Sequence, residues 1–469
     1  MRPSYVLAMD KPGREGWTWS SLTRVQQILR VFAKHGFGSL VEQIAFDRSG
    51  SSSLGLTYRH DAAVWGRRFV QVLAELGPTY VKLGQALSTR TDVLPETFTE
   101  PLATLRSQVP TVPFQAVLDQ IEGGLGAPAL RRFASIDPTP LAAASIAQVH
   151  RATTPDGDDV VIKVHRPGIA TQIDQDLELL RLLADQVERR IEEASRFEPR
   201  ALVDRFGEEL MAELDVAREA AAAKRFRSVV ADHAHVPEII DALTGPGVIT
   251  MRYLPGTPIT HVEEPAERRR LARALLSSFV HQMLVGGIFH ADAHPGNVVC
   301  AEDGRLGYYD LGSVGEVPED LRDRIFEVLS AATRRDVEAL AEAVLGMVEA
   351  RADVDRKAFG RDVAELVDEV RRRPLGEIAM ADAIERVLSI VRTHDLRVRP
   401  QDLQLIRGLA TLDGVLRELD PDLEPLSAAL PDLVRATVRA RSWGPAWALV
   451  RSLVRGWWAR WFGRRQLAG

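Results

Sequence analysis

The segment GGIFHADAHPGNVVCAEDGRLGYYDLGSVG holds the residues whose types and spacing could do chemistry. His290 and Asp292 flank one residue, Asn297 follows five positions after the aspartate, and Asp310-Leu311-Gly312 follows an intervening DG turn. A carboxylate, a carboxamide and a second carboxylate so spaced suit phosphoryl transfer. Asp292 would sit at the attacking hydroxyl or water. Asn297 would return on the same loop to hold a metal, and a hairpin through AEDGRLGYYD would bring Asp310 to that metal from the other side. Two protein oxygens, with phosphate and water completing the shell, is what Mg2+ prefers. Two other readings stay open. His290, Asp292 and His294 could form a transition-metal cluster, although such hydrolases need further histidines, only His394 lies downstream, and the rest are scattered. A solvated polar loop is the plainest reading, but it leaves Asp310-Leu311-Gly312 unexplained.

The spacing is similar to the kinase pattern H-R-D-L-x-x-x-N followed by D-F-G. Upstream, Lys163 stands in VVIKV, just after PLAAASIAQVH. A lysine inside an apolar strand costs burial energy unless an anion meets it. Phosphates would be that anion, with a helix carboxylate from EELMAELDVAREAAAAKRF (Glu213, Asp215 or Glu219) as the other partner. An edge-strand lysine pointing to water, and an ion-pair-rich exposed helix, are the structural alternatives. Phosphate-facing turns normally use glycine. Here the turn is expected to hold Ala142, Ala143 and Ala144, whose Cβ atoms keep the backbone from approaching as closely. That predicts altered nucleotide selectivity rather than lost binding. The helix YVKLGQALSTR puts Lys82 and Gln85 on one face. Gly84 lets something pack closely against it, and a core helix with a snorkelling lysine is the alternative.

The elements that must position these residues follow from pattern. The chain has 469 residues, enough for two to four packed units. Residues 1–60 read as a loosely tethered start. Helices are expected over VWGRRFVQVLAELG, stopped by Gly77-Pro78, over TYVKLGQALSTR, and over PFQAVLDQIEGGLG. From Phe133, β-branched runs and PDGDD predict a hairpin meander. Two helices follow, then a short strand pair in HVPEIIDALTGPGVITMRYLPG. After Pro265 nearly everything should be helical except 288–315. Ala274–Ala291 carries no formal charge and approaches spanning length, but Ser277, Ser278, His281 and Gln282 favour a buried helix.

One cysteine, Cys300, excludes an internal disulfide and fits a reducing compartment, and the start has too short an apolar run for a signal peptide. The net charge is −6, yet from Leu433 onward there are eight arginines and no carboxylate. An acidic body with a basic, Trp-rich tail points away from nucleic acid and toward an anionic surface. On a helix, Leu449, Val450, Leu453, Val454, Trp457 and Trp461 share one face, which suits the membrane interface. Packing of the tail on its own domain or on a second subunit is the alternative.

Four motifs in order, KLGQALSTRTDVLP, LAAASIAQVH with VIKVHRPG, AELDVAREAA, and FHADAHPGN with YDLG, identify a resemblance to the UbiB (AarF-like) family of atypical protein-kinase-like proteins over residues 60 to 440. The resemblance implies an α+β, kinase-like two-lobed fold, with a small β-rich N-lobe, a helical C-lobe and a family-specific N-terminal helical extension. The expected divisions are a variable segment 1–59, the extension 60–130, the N-lobe 131–255, the C-lobe 256–432 and the tail 433–469. It further implies ATP and Mg2+ as ligands, with Asp292, Lys163 and Glu219 catalytic and Asn297 and Asp310 on the metal. Ala142, Ala143, Ala144, Ser145, Lys163, Arg252 and Leu254 would line the nucleotide. Lys82, Gln85, Glu213 and Asp215 would be regulatory, Glu213 and Asp215 holding the lysine. The implied activity is an ATPase or small-molecule or lipid kinase supporting isoprenoid-quinone or membrane-lipid metabolism. The alternative is a nucleotide-regulated lipid-binding module without turnover. Expected partners are ATP/ADP and a membrane lipid or quinone precursor, with no nucleic acid. A homo-oligomer and contact with quinone-biosynthesis enzymes are compatible. The expected location is cytoplasmic, at the inner membrane face through the tail. Ala291 replaces the catalytic-loop arginine, so control through a phosphorylated loop is not expected. Leu311 replaces the phenylalanine, and the tail lacks the spanning helices of many bacterial relatives.

Overall fold

The computed structural model describes residues 19–37, 62–88, 96–105, 111–190, 198–334, 336–350, 354–372 and 380–439. The chain divides into two units. Unit 1 takes residues up to Arg218 together with Ile240–Arg252, and unit 2 takes Glu219–Ile239 and everything from Tyr253 on. The strands in chain order are β1 (Ser135–Ile136), β2 (Ala142–Ala143), β3 (Ala147–Thr153), β4 (Asp159–His165), β5 (Ala234–His235), β6 (Val248–Arg252), β7 (Gly256–Pro258), β8 (Ile288–His290), β9 (Val298–Ala301), β10 (Leu306–Tyr308), β11 (Val314–Glu316), β12 (Val348–Ala350) and β13 (Leu396–Val398).

Unit 1 is built on the antiparallel order β1-β3-β4-β6, with β2 also on β3. Alternation sends Val160, Ile162 and Val164 of β4 into an apolar cluster with Val117 and Ile121 of the helix Phe114–Leu125. That helix ends at Gly126, whose φ of 65° is one a Cβ would strain. Lys163 therefore points to the opposite face of the sheet. β4 pairs with β3 on one side and β6 on the other, so Lys163 sits on an inner strand and not an edge. A second cluster joins Leu73 and Leu76 of the helix Ala62–Leu76, Tyr80 of Pro78–Ser88, and Ile173 and Leu177 of Ile169–Arg190. The expected loose start is corrected in part: Trp19–Lys34 is a helix that adds Ile28 and Val31 to this cluster. Its Arg24 Nε donates to the fully buried Asp176 at 2.7 Å.

Two further expectations change in detail. EELMAELDVAREAAAAKRF is not one helix. Pro199–Glu213 stops, and Val216–Val230 restarts after Asp215, whose Oδ1 accepts the Arg218 backbone N–H at 3.0 Å. An aspartate that caps orphan N–H groups starts a helix better than it continues one. The strand pair in 235–256 is not a pair: β5 runs parallel to β10 and β6 antiparallel to β4.

Unit 2 carries the order β5-β10-β9-β7, the pair β8/β11 and a further pair, β12/β13, that helical periodicity did not anticipate. Its core gathers Leu271, Leu275 and Phe279 of the helix Pro265–His281, Phe226, Phe289, Tyr308, and Leu412, Val415 and Leu416 of the helix Pro400–Leu419. The uncharged stretch 274–291 is only partly helix. It passes from Pro265–His281 through a π-helical turn, Gln282–Gly286, to Gly287 at a φ of 66°, and then becomes β8. Among the described residues, no helix is long and apolar enough to cross a membrane.

Candidate active site

In unit 2 the two carboxylate segments leave strands of different sheets, β8 of the β8/β11 pair and β10 of the four-stranded sheet. β8 delivers His290, and Asp292 follows in an exposed turn. The β9–β10 hairpin starts just after Asn297 and ends just before Asp310. The backbone locks them together: Tyr309 N–H donates to the Asn297 carbonyl at 3.0 Å, and Asn297 Nδ2 donates to the Asp292 carbonyl at 3.1 Å. Asp310 Oδ1 accepts the Gly312 N–H at 2.9 Å, which orients the carboxylate. With its nitrogen committed to the loop, Asn297 is left to offer its carboxamide oxygen. Asn297 and Asp310 thus form a hard-oxygen donor pair that fits Mg2+.

The transition-metal alternative finds no support in donor roles. His290 Nδ1 accepts the Asp292 N–H at 3.2 Å, and His294 Nδ1 accepts the Gly296 N–H at 3.0 Å. Among the described residues, no three His, Cys, Asp or Glu side chains gather as a metal set. Burial pushes the His290 pKa down, against the opposing charges of Asp310 and Asp292, so the ring is neutral with its proton on Nε2. That buried Nε2 faces the Asp310 backbone without completing a well-formed hydrogen bond. Ala291 is fully buried, and a Cβ built at Gly408 of the helix Pro400–Leu419 would lie 3.0 Å from the Phe289 ring and 3.5 Å from the Ala291 Cα. The loop rests on that helix with no room for an arginine at 291.

In unit 1 the alanine stretch is corrected. Ala142 and Ala143 are strand residues paired with Val149 and Gln148. The turn itself is closed by Ala144 N–H donating to the Ala147 carbonyl at 2.8 Å, and it buries Ser145 and Ile146. Cross-strand partners share a face, so Ala142, Val149, Lys163 and Ile249 form one row, while Ala143 lies on the opposite face. Sequence reading missed Arg166. Its Nε and Nη2 donate to the Ala144 carbonyl at 3.2 and 3.1 Å, and its N–H donates to the Ile146 carbonyl, so it clamps the turn. The signal was a cation three residues after Lys163.

Lys82 Nζ donates to Glu213 Oε1 at 2.9 Å, with both side chains half-buried. Asp215 serves as the helix cap instead of meeting the lysine. Gln85 Nε2 donates to the Leu105 carbonyl at 3.1 Å, and a Cβ at Gly84 would lie 2.3 and 2.7 Å from Leu105 and Leu73 methyls, which is the close packing expected there. The Arg252 backbone pairs with Val160, and its side chain bonds Asp158 at 2.8 Å. The Leu254 carbonyl accepts the Tyr309 hydroxyl at 2.9 Å. Glu219 lies half-buried in the first turn of Val216–Val230. Leu449, Val450, Leu453, Val454, Trp457 and Trp461 of the tail lie outside the described residues.

Comparison with known proteins agrees with this geometry. Residues 104–344 match the ABC1 atypical kinase-like domain and residues 363–424 the UbiB helical domain. An uncharacterised protein from Synechocystis is 31% identical over 454 residues, covering 93% of this chain and 78% of its own. A probable protein kinase UbiB from Marinobacter nauticus is 35% identical over 380 residues, covering 78% of this chain and 69% of its own. A Mycobacterium tuberculosis protein solved in complex with erythromycin superposes with a TM-score of 0.56 at 25% identity, over 76% of this chain and 93% of the other. Motif order, site geometry and matches along most of the chain agree, and the chain belongs to the ABC1/UbiB family of atypical kinase-like proteins.

Proposed function

We propose that this protein binds ATP with Mg2+ and transfers or hydrolyses its γ-phosphoryl group, acting on water or on a small-molecule or lipid hydroxyl in isoprenoid-quinone or membrane-lipid metabolism. The observation that carries the reading is the hydrogen-bonded frame in which Asn297 joins the Asp292 carbonyl and the N–H of Tyr309, the residue before Asp310. Asn297 and Asp310 would hold the metal, which when bound neutralises charge developing on the phosphates. Asp292, exposed at the loop tip, would orient the attacking oxygen and take its proton on a carboxylate oxygen. The P–O bond to ADP breaks as the new one forms. Lys163 would meet the phosphates, and Arg166 would hold the turn beside them. The basic, Trp-rich stretch from Leu433 supports action at an anionic membrane surface.

The test is nucleotide-induced thermal stabilisation of the full chain with and without Mg2+. Asp310→Asn should abolish the Mg2+-dependent part, and unchanged stabilisation in that variant sinks the assignment. Single-turnover ATP hydrolysis, with and without anionic liposomes, separates an enzyme from a nucleotide-regulated binding module. The ligand panel holds quinone head-group analogues, membrane lipids and erythromycin, the last because the M. tuberculosis protein was solved with it.

A further inference from the structure

The helix Pro265–His281 runs directly into the π-helical turn Gln282–Gly286. Such a turn slips one extra residue into the helical ladder and redirects the side chains around it, often at functional sites. Here it aims Gln282 into the core. Gln282 Oε1 accepts the backbone N–H of His290 at 3.1 Å. Its Nε2 donates to the Tyr308 hydroxyl at 3.1 Å and to Ser278 Oγ at 3.0 Å, and the Tyr308 hydroxyl donates to Ser278 Oγ at 3.1 Å. All four residues are at most 1% exposed.

The two ends of this network carry the site. His290 lies two residues before Asp292 and holds its N–H through Nδ1. Tyr308 lies two residues before Asp310, and the next residue, Tyr309, binds the Asn297 carbonyl. A single buried carboxamide therefore bonds both segments. An apolar side chain would fill the same space without the desolvation an amide demands, so the amide is worth its place only through its bonds. The rings of His290 and Phe226 pack around Tyr308 at centroid distances of 5.6 and 5.4 Å, which leaves the hydroxyl little freedom to find other partners.

We propose that Gln282, with Tyr308 and Ser278, is a positioning residue that sets the spacing between the Asp292 loop and the Asn297–Asp310 pair, and through it the affinity for the metal-bound nucleotide. The proposal rests on the phosphoryl-transfer reading of those three residues.

The test titrates a fluorescent ATP analogue into the full chain at graded Mg2+ and in EDTA, well below each variant's Tm. Gln282→Met keeps the length and removes the bonds, and Tyr308→Phe removes one hydroxyl. The Mg2+ concentration for half-maximal binding should rise roughly ten-fold in the first, which loses three hydrogen bonds, and about two- to three-fold in the second, which loses two, since only part of each bond's worth is felt at the metal. Affinity in EDTA should stay unchanged in both. A lowered Tm with a wild-type Mg2+ requirement would mean a purely structural role and overturns the proposal. If Gln282→Met does not fold, Tyr308→Phe decides alone. If the wild type binds as tightly in EDTA as at saturating Mg2+, or Asp310→Asn binds like wild type, the phosphoryl-transfer reading falls and this proposal falls with it. If those controls behave as expected and both network variants match wild type, only the positioning role falls.

Discussion

His165 closes strand β4, two residues beyond Lys163 and on the same face, and it is the sharpest pH probe in unit 1. Its ring is buried, and burial first, then the charge of Lys163, holds its pKa at about 4 against an ordinary 6.5. A histidine with a depressed folded pKa is neutral in both folded and unfolded chains above pH 6.5 and costs nothing there. Below 6.5 the unfolded chain takes up a proton that the folded chain refuses, so stability is lost as pH falls toward 4 and no further below it. The full gap would remove about 2.5 kcal/mol by pH 4.5, and the solvent that reaches the ring reduces this to about 2 kcal/mol. His165→Gln cannot titrate, so whatever its own packing cost, it should lose about 2 kcal/mol less than wild type between pH 7.5 and 4.5. Urea titrations read by amide exchange in 159–165 score unit 1 by itself and avoid a global two-state assumption. Lys163→Met should raise the His165 pKa in an NMR titration by less than exposure of the ring would. Equal acid losses in wild type and His165→Gln would refute the argument, because the strand-end histidine would then not be the group refusing the proton.

Two more outcomes follow from packing. Gly84→Ala gains about 1 kcal/mol of helix propensity but pushes a methyl into Leu73, Leu102 and Leu105 together, so a net loss of about 1–2 kcal/mol is expected in chemical unfolding. A net gain would show that the three leucines yield freely. Ala142→Gly on the strand leading into the turn and Ala144→Gly within it should change the ATP-to-ADP affinity ratio, whereas Ala143→Gly, on the far face of the strand, should not. Arg166→Gln should also change the ratio, because it releases the Ala144 carbonyl that fixes the turn. An Ala143 effect as large as that of Ala142 would contradict the row that places Ala142 with Lys163.

The parts of the molecule legible in the sequence are those fixed by local chemistry. The Asp292–Asn297–Asp310 arrangement could be read because a short loop and a two-strand hairpin fix it, and the hairpin announces itself through Asp303-Gly304. Helix ends at Gly77 and Gly126 were readable because each has a φ only glycine takes cheaply. What escaped depends on partners far along the chain. β12 and β13 are three residues each and find one another across 46 positions, so neither has a pattern of its own. β5 and β6 looked like a pair because they are neighbours in sequence, yet each completes a different sheet. The restart after Asp215 was hidden because a helix interior tolerates an aspartate, and only the Arg218 bond shows it as a cap. Gln282 and Ser278 were visible as polar residues in an uncharged stretch, and served only to argue against a membrane span. Their partner Tyr308 is 26 positions away from Gln282, beyond any local signal.

The floor beneath the Asp292 loop has a consequence for synthesis. Phe289 and Ala291 rest on the helix Pro400–Leu419 at Gly408, so the loop leaves the ribosome more than a hundred residues ahead of the surface it settles on. Until Leu419 has emerged, the ring of Phe289 and the backbone at Ala291 lack that cover. A chain truncated after the segment 104–344 would therefore carry every residue of the Asp292–Asn297–Asp310 set and still be a client for chaperones rather than a working unit. Expression trials should take the end of this helix, not the end of the kinase-like match, as the shortest boundary worth testing.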